Sequence, residues 1–168
     1  MSNQPTMSST TSAIRTSSLV SGLNHVAVMT DDLDRAAAFY VDVFDAELID
    51  TPAPPGSKAT TVRLSATAGL SFLEVAGNPH GTGSTQMLGR GHLDHLALEA
   101  PGGAELEELR RRLVAKGAST GEINDYGSMV SVYFVDPDGM GCEVCWIRDP
   151  SFAELHPPIP FTGNLAEA

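Results

Sequence analysis

Positive charge is scarce in this chain: 10 Lys and Arg stand against 21 Asp and Glu, for a formal net charge of −11. A surface of that sign repels phosphate, which argues against nucleic acid and anionic membranes as partners. Long apolar runs are also missing. No stretch approaches the ~20 residues needed to cross a bilayer, although overall hydrophobic content is an ordinary 42%. Cysteine is limited to Cys142 and Cys145, a C-x-x-C inside GCEVCWI. That segment reads as a strand, where side chains three apart face opposite ways, so neither a disulfide nor a shared metal is expected of the pair. A thioredoxin-type motif would instead open a helix. No G-x-x-x-x-G-K-[ST] phosphate loop occurs in the Gly-rich stretch AGNPHGTGSTQMLGRGH.

The first twenty residues, MSNQPTMSSTTSAIRTSSLV, have neither the apolar core of a secretory signal nor the repeated Arg of a transit peptide. They read as a disordered leader, 1–20, and a cytoplasmic location with reduced thiols is expected. A chain of 168 residues accommodates one core, or two half-domains that share one.

What is present is a repeat. Residues 23–28 read LNHVAV and residues 93–98 read LDHLAL. After the first comes TDDLDRAAAFYVDVF, with Leu33, Ala36, Ala37, Tyr40, Val43 and Phe44 at helical spacing and Thr30 or Asp31 as N-cap. AELID, a loop at 51–58 with three prolines, and two strands joined by a turn near Gly69 complete the half. After the second comes GGAELEELRRRLVAKG, with Leu106, Leu109 and Leu113 as its apolar stripe and Gly117 as its C-terminal cap. A polar strand around 119–125, the strand SMVSVYFV, a DPDG turn and GCEVCWI follow. Each half therefore reads β-α-β-β-β. The expected architecture is α+β: two tandem modules, 21–77 and 91–148, forming a half-open eight-stranded barrel with helices outside. Residues 149–168 form a C-terminal extension.

The first strand of each module carries a histidine, His25 and His95, and the last carries a glutamate, Glu74 and Glu143. The separations are 49 and 48 residues. Turning Glu74 inward sends Leu73 and Val75 toward the helix, as turning Glu143 inward does Val144 and Trp146. The one-residue difference has to be absorbed in a hairpin, because a slip within a strand reverses the face. Two imidazoles and two carboxylates on one concave face are costly without a cation, so a shared divalent metal on His25, Glu74, His95 and Glu143 is the expectation.

These segments resemble the vicinal-oxygen-chelate superfamily, which includes glyoxalase I, methylmalonyl-CoA epimerase, extradiol dioxygenases and the fosfomycin and bleomycin resistance proteins. The resemblance rests on LNHVAVMTDDLDRAAAFYVDVF, SFLEV, LDHLALEA and FVDPDGMGCEVCW, across residues 22–148. It implies paired βαβββ modules around one divalent metal (Ni, Zn, Co, Mn or Fe) and a homodimer. Glyoxalase-type members resemble the four-residue set, whereas dioxygenases and fosfomycin-resistance enzymes resemble His25, His95 and Glu143 alone. With Glu74 counted as a ligand, the resemblance favours a lyase or isomerase acting on a small oxygenated substrate through an enediolate-like intermediate. Glu74 and Glu143 would then be the proton-moving carboxylates, and a thiol cosubstrate is compatible with such chemistry. The rivals are an extradiol-type ring-cleaving dioxygenase and a ligand-sequestering resistance protein. Glu99, Cys145, Tyr126, Tyr133 and Arg63 are further pocket candidates, while His80 and His92 read as exposed loop residues.

Overall fold

The computed structural model describes residues 23–78 and 93–165. The leader, His80, His92 and most of the Gly-rich connection lie outside the described residues. Module one runs β1 (His25–Thr30), α1 (Leu33–Phe44), β2 (Glu47–Asp50), β3 (Ser57–Arg63) and β4 (Gly69–Val75). Module two runs β5 (Leu96–Glu99), α2 (Gly103–Ala115), β6 (Ile123–Gly127), β7 (Met129–Val135) and β8 (Gly141–Ile147), followed by β9 (Leu155–Pro160). The first sheet has the order β1-β4-β3-β2 and the second β5-β8-β7-β6-β9. The α+β fold of two βαβββ modules is as expected. The sheets stay separate and half-open, and the extension adds a ninth strand to the edge of the second.

Local chemistry sets the element ends. The N-cap of α1 is Asp32, which accepts from the Arg35 amide at 2.9 Å, rather than Thr30 or Asp31. Both expected residues are otherwise engaged, since the Thr30 hydroxyl bonds the Asp32 backbone and Asp31 pairs with Arg35. Gly117 ends the second helix with φ +68°, a conformation that suits glycine. The polar strand begins later than expected, at Ile123, because the Ser119 hydroxyl draws the preceding residues into a local turn. The hairpin turn of module one lies at 64–68, where the Ser65 hydroxyl accepts from the Thr67 and Ala68 amides, and Gly69 opens β4.

Each helix covers one face of its sheet and leaves the other open. On the covered faces Leu70, Phe72, Val130, Val132 and Val144 are buried. One apolar cluster joins the modules, with Phe134 of β7 meeting both Phe39 and Phe44 of α1. A polar clasp reinforces the joint. The buried Tyr40 hydroxyl donates to Asp136 at 3.2 Å, and Arg35 reaches Asp138. Both acceptors belong to the DPDG turn that feeds directly into β8, so α1 of module one helps place the strand carrying Glu143. The C-terminal segment docks by Leu165, which lies against Gly103 so closely that a Cβ there would sit 2.0 Å from the Leu165 carbonyl oxygen.

Removing the buried Tyr40 hydroxyl leaves an Asp136 oxygen short of a donor. Tyr40→Phe is expected to lower stability by about 1–2 kcal/mol in urea unfolding. The change Tyr126→Phe, at a half-buried tyrosine, should cost less.

Candidate metal centre

The strand register decides which side chains share a face. In module two, β5 and β8 run parallel with Leu96 opposite Cys142 and Ala97 opposite Glu143. His95 therefore lies beside Gly141, whose added Cβ would be 3.7 Å from His95 Cβ. Glu143, two residues on, shares the open face with it. His95 Nε2 and Glu143 Oε2 are 3.3 Å apart. Two donors bound near 2.1 Å at right angles on one cation would stand about 3 Å apart, so this spacing suits shared coordination. Glu143 is only 4% exposed, and its Oε1 has no hydrogen-bond partner among the described residues. A buried carboxylate with one oxygen unpartnered and the other beside an imidazole nitrogen fits a cation.

Module one has His25 in the matching place, opposite Gly69 on β4. The position equivalent to Glu143 is two residues beyond that glycine, which is Ser71. Glu74 is five beyond, opposite Thr30, on the other face and roughly 16 Å along the strands at ~3.3 Å per residue. There its Oε1 pairs with Lys58 at 2.9 Å and its Oε2 accepts from the Leu33 amide at the start of α1. The expectation that Glu74 joins His25 is corrected on this point. The stretch Leu70–Val75 offers two alternations, Leu70 with Phe72 or Leu73 with Val75, and the helix buries the first pair. Lys58 above all, and then the Leu33 amide, hold the Glu74 carboxyl below its usual range, as suits an anion at a helix N-terminus.

Both histidines are oriented by the residue before them. His25 Nδ1 lies 2.8 Å from Asn24 Oδ1, and His95 Nδ1 lies 2.8 Å from Asp94 Oδ2. With Nδ1 engaged as donor, Nε2 is left with its lone pair for a ligand. The signal for these partners was visible in LNH and LDH, where an amide or carboxylate precedes each histidine. The His25 side opens on a cavity of about 350 Å³ that includes Arg63, Thr61 and Ser71.

Around Glu143 the open face carries Tyr133, whose ring meets His95 edge-on at 5.6 Å and whose hydroxyl is 3.3 Å from that of Tyr126. Burial, followed by the Tyr126 hydroxyl and the Glu143 charge, pushes the Tyr133 phenol up, so it stays protonated. The two cysteines face opposite ways as expected. Cys142 is buried under the helix layer and Cys145 is on the Glu143 face, and burial pushes both thiols up to about 12. Glu99 lies exposed at the end of β5, on the same face. Among the described residues of one chain no three His, Cys, Asp or Glu are arranged so that they could hold a metal ion together. His25 thus stands apart from His95 and Glu143.

The family model for the glyoxalase/bleomycin resistance protein/dioxygenase superfamily matches residues 22–144. The chain belongs to this superfamily. No curated protein matches it. Among solved structures, a glyoxalase/bleomycin resistance protein/dioxygenase domain from Frankia sp. EAN1pec shares its fold, with TM-score 0.66, 22% identity, and coverage of 78% of this chain and 95% of that one. A genomically encoded fosfomycin resistance protein from Listeria monocytogenes, complexed with Mn(II) and sulfate, is 26% identical, with TM-score 0.53 and coverage of 76% and 93%. Lactoylglutathione lyase from Agrobacterium tumefaciens is 28% identical, with TM-score 0.50 and coverage of 76% and 94%. In this chain His95 and Glu143 lie together on module two, and His25 lies on module one. No helix among the described residues is long and apolar enough to cross a membrane.

Glu74→Gln separates a ligand from a helix anchor. Metal affinity by calorimetry is expected to be unchanged, whereas the melting temperature should fall at neutral pH. The sign follows from the depressed carboxyl. Ionised Glu74 contributes stability above its unfolded pKa of about 4.3. That contribution is lost as pH falls through the lower folded value, so the two proteins should converge in acid.

Proposed function

We propose that the protein is a metal-dependent enzyme acting on a small oxygenated substrate, with one divalent cation held by His25, His95 and Glu143. The observation that carries this reading is the buried Glu143 carboxylate, with Oε1 unpartnered and Oε2 3.3 Å from an imidazole nitrogen whose ring is oriented from behind by Asp94. Two nitrogens and a carboxylate oxygen suit Mn, Fe, Co, Ni or Zn. Such a cation supplies Lewis acidity to a substrate oxygen.

Because His25 stands apart within one chain, a second copy would bring its module one over module two of the first. The protein is accordingly proposed to be a homodimer with two composite sites. Asn24 and Asp94 hold the two rings so that Nε2 faces the site. Tyr133 remains a protonated donor, placed to hydrogen-bond an oxygen of the substrate where negative charge develops. The buried floor around Glu143, Ser131 and Cys145 limits water on that side.

The leading reaction class is glyoxalase-type lyase or isomerase chemistry, in which a proton moves beside a carbonyl and an enediolate-like charge is stabilised. Moving Glu74 to the far face removes it as the base and leaves Glu143 as the carboxylate that would take the proton. It also removes the fourth protein ligand that would obstruct a bidentate diol and oxygen, and this observation favours ring-cleaving oxygenation as the second reading.

Two experiments test these statements. Glu143→Gln and His25→Ala are each expected to lower Mn(II) affinity by about tenfold or more. Mixing the two variants should restore one tight site per heterodimer, because one of its composite sites receives both intact halves. Failure to restore binding would refute the two-chain site. With hemithioacetals, acyl-thioesters and catechols as substrates, deuterium incorporation from heavy water without oxygen uptake is expected. Oxygen uptake with catechols under Fe(II) would select the second reading.

A further inference from the structure

Among the described residues every Lys and Arg has a carboxylate oxygen within 2.9 Å, with the exception of Arg63. The nearest carboxylate to Arg63 is Glu47, at 3.7 Å, beyond hydrogen-bond distance. In a chain of net charge −11 a guanidinium held only by this longer ion pair is a local exception, and its half-exposed side chain lines the cavity that includes His25.

Strand register places it there. His25 on β1, Gly69 on β4 and Arg63 on β3 lie side by side across the sheet. Two strand spacings put the backbones of His25 and Arg63 about 10 Å apart. Between them Gly69 presents no side chain, and none fits, since a Cβ would stand 2.6 Å from the Val62 carbonyl oxygen. The floor between imidazole and guanidinium is thereby left open. Next to it a chain of hydroxyls runs from the loop after β2 across β3 and β4, with Thr51 2.9 Å from Thr61 and Thr61 3.0 Å from Ser71. In the orientation where Thr61 donates to Ser71, the Ser71 O–H is available to donate into the cavity.

We propose that Arg63, with Ser71 at the end of this hydroxyl chain, forms a recognition subsite for an oxyanionic group of the substrate, a carboxylate or a phosphonate. The inference deepens the reading of His25 as part of the reaction site and rests on it for the word substrate, but the anion site itself needs no metal. A planar guanidinium receives two oxygens of such a group through parallel N–H bonds, and the serine hydroxyl adds a third donor. The substrate class that follows is a small oxyacid whose reacting oxygens lie at His25 and whose anionic end lies at Arg63.

The test uses the full chain treated with chelator, titrated separately with butyrate and methylphosphonate while backbone amide shifts are followed by NMR. Saturable shifts confined to the strands and turn spanning 61–71 are expected for at least one of the two anions, and their relative affinities identify the preferred group. Arg63→Met should weaken that binding by about tenfold or more, and Arg63→Lys by less. Absence of saturable shifts, equal binding by Arg63→Met, or binding that appears only after Mn(II) is added would each overturn the subsite. Mn(II) affinity of Arg63→Met, measured by calorimetry, is expected to match that of the unaltered protein. Its loss would place Arg63 in the metal centre and overturn a separate subsite. A wild-type protein that binds no Mn(II) yet shows the Arg63-dependent shifts would refute the metal reading alone.

Discussion

The burial of Leu70 and Phe72 beneath α1 is the contact on which the geometry of module one depends. Both side chains are essentially inaccessible, and Phe72 meets the Tyr40 ring at 5.4 Å. Strand alternation is rigid, so once these two face the helix, Ser71 must face the open side with His25, and Glu74 must face the helix. Reversing that choice would expose a phenylalanine and a leucine, at roughly 1.5–3 kcal/mol each. No gain from one more carboxylate on the open face offsets such a loss, and Glu74 instead anchors the first amide of the helix.

The same alternation gives the modules different chemistry from matching frames. Where module two has Glu143 and Tyr133 opposite one another, module one has Ser71 and Thr61. One half thus offers a carboxylate and a phenol beside its histidine, and the other offers hydroxyls and a guanidinium. The division is consistent with one half that favours a cation and another that favours the negative end of a small molecule. It also explains how a strongly acidic protein can admit an anion, since attraction at a short-range site can act where the overall field is screened within about 8–10 Å in physiological salt.

The joint between modules links these halves to the core. Phe134 fills the space between α1 and the second sheet, and the Asp136 carboxylate, which burial holds above its usual range, ties Tyr40 to the turn before Glu143. These contacts tie α1 to a strand of the other module.

Much of this was legible from the order of residues. The duplicated HVAV and HLAL strands, the two amphipathic helices, the DPDG turn and the placing of His25, His95 and Glu143 follow from local pattern. Local pattern suffices there because helix and turn preferences act between residues close in the chain. Glu74 was not legible. Its segment satisfies two alternations equally, and the choice between them depends on a helix some thirty residues earlier in the chain. The approach of His95 to Glu143, the separation of both from His25 and the loosely paired guanidinium of Arg63 are likewise properties of register and packing. The sequence by itself determined which elements form and which residue types they carry. Only the tertiary structure decided which of those residues share a face, because strand pairing and burial are set by contacts distant along the chain.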